Sequence, residues 1–327
     1  MNCSGISRDT LLGRAIRAPL RALPRGLVVP VLQGRLRGKR WIVGSGVHGY
    51  WVGSYEWHKR KLFERTVRPG HVVFDVGANV GFYTLLASEL VGRSGRVVAF
   101  EPVERNLRFL RTHLALNRVR NVTVIAAALW DRPGLAAFDT GPDTSQGRVT
   151  EKGAETVRTV TLDDLWRSGE IPAPDVVKMD IEGAELHALR GATQMLTQSS
   201  PVILLATHGD EVRGRCFELL LSVGYRIRPI APCADPSHAD EFVARRDPLP
   251  VPGSRPGAEA SAAPADHHRG GCTRTDGRGL RLNPEPPVEG SDWLLPPGEA
   301  DLATDPTVLR RALGEAARMI EAADSCR

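Results

Sequence analysis

Cysteine, lysine and aromatic residues are all in short supply in this chain, and each shortage removes a class of protein. The five cysteines, Cys3, Cys216, Cys233, Cys272 and Cys326, are scattered, odd in number and without a C-x-x-C pair. That excludes a zinc site or a disulfide framework built on them and points to a reducing compartment, the cytoplasm. No apolar run approaches the ~18 residues of a membrane span. The apolar stretches near the start are broken by arginine and no small-residue cleavage site follows, so no signal peptide is expected. Lysine supplies only 5 of the 43 basic side chains. With so much Ala, Gly and Pro beside the arginine, the net charge of +5 reads as the codon bias of a GC-rich genome and carries no argument for nucleic acid.

What is present is organised around Val72-Val73-Phe74-Asp75-Val76-Gly77-Ala78-Asn79-Val80-Gly81. The β-branched and aromatic run predicts a buried parallel strand, Gly77 permits a sharp turn, and Phe82, Leu85, Leu86 and Leu90 predict a helix. This unit is common to dinucleotide-binding and S-adenosylmethionine (SAM)-binding folds. A dinucleotide site wants G-x-G-x-x-G so that a pyrophosphate can rest on the helix N-terminus. Here an acid precedes the turn and Asn79 replaces the middle glycine. Asp75 disfavours a pyrophosphate but suits the ammonium of SAM. A second predicted strand, Val97-Val98-Ala99-Phe100, ends in Glu101-Pro102, where a carboxylate can accept both ribose hydroxyls. Ala126-Ala127-Ala128, ending a third strand from Val122, either leave room for adenine at Ala127 or are simply close packing.

The remaining chain divides by composition. Residues 1–54 hold a basic arm and a small hairpin rich in aromatics, Trp41, Tyr50, Trp51 and then Tyr55 and Trp57, which serve either as a substrate wall or as a cover for the sheet's edge. The arm either packs on the domain or makes a weak membrane-surface contact. Residues 55–230 form the core. Gly134 to Phe138 and Val157 to Val160 read as short strands flanking a polar loop, and Thr161-Leu162-Asp163-Asp164-Leu165 starts a short helix. Val176-Val177-Lys178-Met179-Asp180-Ile181-Glu182-Gly183 predicts another buried strand that delivers Asp180 and Glu182 to the carboxyl edge of the sheet, where ligands bind in open α/β folds. Lys178, mid-strand, needs a carboxylate partner or substrate. Val202 to Ala206 ends at His208, a catalytic candidate at the same edge. Residues 231–290 hold ten of the 24 prolines and are expected to be a disordered insertion in the last hairpin, with the final strand at Asp292-Trp293-Leu294-Leu295 and a C-terminal helix over 306–323.

The runs DVGANVGFYT at 75–84, FEP at 100–102, TLDDL at 161–165, KMDIEGAE at 178–185 and THGDE at 207–211 together resemble the FkbM-type family of class I SAM-dependent methyltransferases. The resemblance covers about residues 55–230. It implies an α/β Rossmann-like sheet of seven strands, the last antiparallel, with helices on both faces. It further implies O-methylation of a hydroxyl on a polyketide, sugar or other small molecule or glycan. By position, Asp75, Gly77, Asn79, Gly81 and Glu101 would bind SAM, and Asp180 and Glu182 would face the transfer site. The family commonly has an acid where this chain has Ala206 or Thr207. For the general base the candidates are, in order, Asp180, a neutral His208 and Glu182, with Lys178 steadying the oxyanion or holding Asp180. Asp180 and His208 are too few to assign a metal. A nucleic-acid methyltransferase and a non-catalytic SAM-binding regulator or scaffold are the alternatives; the first lacks an Asn-Pro-Pro-Tyr-like tetrapeptide, and the acids at 180 and 182 have no purpose in the second.

Overall fold

The structure is a computed structural model that describes Leu20 and residues 23–139, 155–231 and 239–246, together with the backbone of Arg148–Val149. These residues fall in one compact unit. In chain order it contains β1 (Val28–Pro30), β2 (Arg40–Ile42), α1 (Gly49–Val52), α2 (Trp57–Thr66), β3 (Val72–Val76), α3 (Phe82–Val91), β4 (Arg96–Phe100) and α4 (Glu104–Leu116). Then come β5 (Val122–Ile125), β6 (Ala128–Leu129), β7 (Gly134–Asp139), β8 (Arg148–Val149), β9 (Glu155–Val160), α5 (Leu162–Arg167) and β10 (Val176–Met179). The described chain closes with α6 (Glu185–Arg190), α7 (Thr193–Ser199), β11 (Val202–Ala206), α8 (Asp210–Ser222), β12 (Tyr225–Pro229) and β13 (Glu241–Arg246).

Seven strands form the main sheet in the order β12-β13-β11-β10-β3-β4-β5. The five from β11 to β5 are parallel, and β13 runs antiparallel to both of its neighbours. Strand alternation divides the core into layers. Phe74 and Val76 of β3 face Leu186, Leu189, Leu196 and Leu220 from α6, α7 and α8. Val73 faces the opposite layer, with Phe63 of α2 and Leu85 and Leu86 of α3. Helices therefore cover both faces, as a parallel sheet with nearly continuous apolar strands requires. A second sheet, β6-β9-β7-β8, lies outside this frame. It pairs the two short strands expected around the polar loop, antiparallel from Gly134↔Thr159 to Phe138↔Glu155, and adds Arg148–Val149 from within that loop.

The last strand is where the expectation fails. The place beside β11 assigned to Asp292–Leu295 is held by Glu241–Arg246, whose Phe242, Val243 and Ala244 are buried. Glu-Phe-Val-Ala-Arg-Arg is short and flanked by proline-rich sequence, so composition masked it. The hairpin from β12 to β13 thus spans only residues 230–240, and 247–327, including 292–295 and the helix expected over 306–323, lie outside the described residues.

The hairpin β1–β2 docks onto α4 through His113 and through Asn117, which exchanges two hydrogen bonds with the Arg40 backbone. Trp41 is buried with its ring stacked on His113 of α4, centroids 3.8 Å apart. His113 Nε2 accepts from the Ile42 N–H at 3.1 Å, and its Nδ1 lies 2.7 Å from the Val80 carbonyl, to which the neutral tautomer donates. Burial pushes the His113 pKa down to about 4. The unfolded chain therefore binds this proton first, and stability present above about pH 6.5 is lost as the pH falls toward 4. Thermal melts should show this loss, of up to about 3 kcal/mol, and His113→Gln should flatten it relative to wild type; an unchanged pH profile would refute the assignment.

Candidate active site

The parallel strands deliver their carboxyl ends to one cleft, partly open to solvent. The strand order sets its layout. The turn after β3 lies at the centre, Glu101 after β4 on one flank, and Asp180 after β10 on the other. Gly77, Ala78 and Asn79 line the floor, with Glu101, Asn106 and Ala127 on the first flank and Asp180 and Glu182 on the second. Tyr50, Tyr55, Phe82, Tyr83 and Phe138 form aromatic walls.

The turn is built on positive φ. Gly77 has φ 77°, and a Cβ there would lie 2.0 Å from the Asp180 carbonyl oxygen, so only glycine fits. Asn79 has φ 50°, a conformation asparagine tolerates; its N–H donates to Glu101 Oε2 at 2.8 Å while its Oδ1 accepts from the Val80 N–H at 2.7 Å. Glu101 Oε1 accepts from the Val103 N–H and from Asn106 Nδ2. Burial raises the Glu101 pKa, and these donors oppose the rise. The carboxylate is thus fixed in the cleft wall with a known orientation.

On the other flank a lysine far away in sequence governs the acids. Lys59 of α2, 2 % exposed, places its ammonium 2.7 Å from Glu56 Oε2, 2.9 Å from Asp180 Oδ2 and 2.9 Å from Glu241 Oε1. Burial alone would push the Lys59 pKa down, but the Asp180, Glu56 and Glu241 carboxylates outweigh it and hold the group above the usual lysine range. Tyr83 donates its hydroxyl to Glu56 at 2.9 Å. Asp180 feels burial pushing its pKa up, yet Lys59 and then Lys178 bring it below the ordinary carboxylate value.

His208, after β11, completes this flank. Its Nδ1–H donates to Glu185 Oε1 at 2.9 Å, and its Nε2 lies 3.4 Å from Glu182 Oε2 and 3.8 Å from Asp180 Oδ1. The hydrogen bond to Glu185, opposed by burial and aided by the Glu185, Glu182 and Asp180 charges, raises its pKa to about 9.

Residues 75–227 match the Methyltransferase FkbM domain family. Over those residues the chain is similar to the FkbM methyltransferase family. Among curated proteins it is similar to the hexuronic acid methyltransferase AglP of Haloferax volcanii, 33% identical over 139 residues, which are 42% of this chain and 56% of that protein. It is also similar to the ribosomal RNA large subunit methyltransferase E of Acidithiobacillus ferrooxidans, 36% identical over 84 residues, 26% of this chain and 33% of that one. The chain therefore spans about half, or less, of the length of these relatives. The crystal structure of an FkbM methyltransferase from Methylobacillus flagellatus aligns with a TM-score of 0.38 at 17% identity, over 71% of this chain and 58% of that one.

Within the matched residues the structure brings Gly77, Asn79, Glu101, Ala127, Lys178, Asp180 and Glu182 to the cleft, and His208 beside its acidic flank. Two cofactor candidates do not reach it. Asp75 is fully buried; it accepts from the Thr84 hydroxyl at 2.6 Å and pairs with Lys178 at 3.2 Å, because strand alternation points it into the α3 layer. Gly81 starts α3, and a Cβ there would strike Leu110 Cδ1 at 2.6 Å, so its role is helix packing. Lys178 does find the carboxylate partner that its position demanded, Asp75, and it also donates to the Gly77 carbonyl at 2.8 Å. It therefore anchors the turn; Asp180 is held by Lys59 instead. The expected neutral imidazole at His208 is overturned by Glu185. In place of the missing acid, Thr207 is buried, and its N–H donates to the Asp240 carbonyl. Sequence reading missed Lys59, Glu56 and Glu241 altogether.

Lys59→Met should cost about 3 kcal/mol near pH 8, the scale of a broken buried ion pair. Part of this should return near pH 5, as carboxylates left without the ammonium protonate more readily in the folded state. Denaturant melts at the two pH values test this; a pH-independent loss would refute the assignment.

Proposed function

We propose that the chain is a SAM-dependent O-methyltransferase of a hydroxyl-bearing small molecule or glycan. The observation that carries this reading is the two-sided cleft. One flank offers a fixed buried carboxylate, Glu101, beside small residues and a glycine turn; the other offers the carboxylate pair Asp180 and Glu182 with His208. The first flank fits SAM, since Glu101 can accept ribose hydroxyls and Ala127 leaves the space of a flat base. When bound, SAM supplies an electrophilic methyl group.

The residues of the second flank then have separate tasks. Asp180 Oδ2 is fixed by Lys59, which leaves Oδ1 to hydrogen-bond an acceptor hydroxyl, align it and take its proton. A carboxylate below its usual pKa is a weak base, so alignment of the hydroxyl supplies more of the rate than proton transfer. The charged imidazole of His208 beside Asp180 steadies that carboxylate. The aromatic walls at Tyr50, Tyr55 and Tyr83 suit the apolar face of a sugar ring. The similarity to a hexuronic acid methyltransferase favours a glycan acceptor among the small-molecule classes. Scattered cysteines, with Cys216 a buried free thiol, favour the cytoplasm as its location.

Calorimetric titration of SAM into the full chain should show binding that weakens at least roughly tenfold in Glu101→Gln, the cost of a lost charged hydrogen bond. In a labelled-methyl assay over hydroxylated acceptors, Asp180→Asn should lower turnover by about 10²- to 10⁴-fold and SAM affinity far less than Glu101→Gln does. Absence of SAM binding by a folded wild-type chain would sink the reading.

A further inference from the structure

The acidic flank carries more negative charge than its lysine answers. Lys59 already serves Glu56, Asp180 and Glu241. Next to it stand Glu182 at the cleft and Glu185, which is fully buried and whose Oε2 has no hydrogen-bond partner among the described residues. We propose that Asp180, Glu182 and His208 form a binding site for a divalent metal cation at the acceptor end of the cleft, a reading that rests on the methyltransferase assignment only for its purpose.

Three observations carry it. Asp180, Glu182 and His208 each offer one ligand atom, and these atoms all lie within 4.8 Å of one another. The shorter separations, 3.4 Å from Nε2 to Glu182 and 3.8 Å to Asp180 Oδ1, approach the spacing of neighbouring ligands around an ion bound at about 2.0–2.2 Å. Lys59 holds Oδ2 of Asp180, so Oδ1 is turned to the cluster. Glu185 holds His208 by Nδ1, which fixes the ring and directs Nε2 at the two acids; a bound cation would take the place of the proton on Nε2, which is released to solvent. A carboxylate behind a ligating histidine is the usual support of such ligands. Glu185 is itself held by the N–H groups of Ile181 and Gly183, in the same turn that presents Glu182 at φ 54°.

The ligand set, two carboxylates and one imidazole, selects a first-row cation of the manganese-to-zinc series over calcium, which takes an oxygen shell. Three protein ligands leave coordination positions open toward the cleft, since Asp180 and Glu182 line it. An acceptor would fill them with oxygens: a hydroxyl beside a second hydroxyl or a carboxylate, as polyhydroxylated acids provide. The cation would thereby admit an anionic acceptor to a flank that otherwise repels it.

The test reads metal binding without methyl transfer. Full-length chain is stripped with chelator, desalted, and titrated with Mn²⁺ near pH 8 by calorimetry and by the electron paramagnetic resonance signal of free Mn²⁺, with SAM binding measured in parallel. Wild type should bind one Mn²⁺ per chain at this site. Glu182→Gln and His208→Asn, both at partly exposed positions, should each weaken binding roughly 10- to 100-fold while still binding SAM. A wild-type chain that binds SAM but no Mn²⁺, or variants that bind Mn²⁺ as tightly as wild type, would overturn the site. Mn²⁺ binding lost in the variants of a chain that ignores SAM would uphold the cation site and remove the methyltransferase reading.

Discussion

A single ammonium among three carboxylates is the constraint on which the cleft depends. Lys59 comes from a helix before the first core strand, Asp180 from the end of β10, Glu56 from the turn before α2, and Glu241 from the last strand. Removing a charge from water costs several kcal/mol, and only close, multiple partners offset it. The position of Asp180 is therefore settled by chain segments that lie well apart in sequence. Lys59, Glu56 and Glu241 all fall outside residues 75–227, so the stretch that matches the family does not include the cluster that fixes Asp180 Oδ2.

The same geometry reverses the simplest reading of the acid–base chemistry. Considered alone, Asp180 in a buried strand end should be a carboxyl with a raised pKa, and His208 a neutral base. Lys59 lowers the first and Glu185 raises the second. The two groups thus enter as a charged pair, one negative and one positive, and chemistry at this flank concerns alignment and charge more than the strength of either as a base.

What the sequence showed clearly was local. The strand, Gly77, the helix from Phe82 and the acid at Glu101 are neighbours along the chain, and periodicity with turn chemistry was enough to place them. The direction of Asp75 was also legible and was misread: alternation along Val72–Val76 puts it on the face of Val73, toward α3, away from the cleft. Lys59 was not legible, because its partner Asp180 lies 121 residues away and nothing local marks a lysine as buried. The strand Glu241–Arg246 failed for a different reason. Its six residues sit inside a proline-rich tract, and compositional averaging over that tract hid a strand paired on both sides, which only the sheet reveals.

The contact between Gly77 and the Asp180 carbonyl joins the two flanks mechanically. Where a single methyl group would not fit, there is no slack for a hinge, and Lys178 clamps the same turn from below through the Gly77 carbonyl. The floor and the acidic flank consequently behave as one rigid anvil. Ligands reach this floor past the aromatic residues that line the cleft, among them Tyr55 and Phe138.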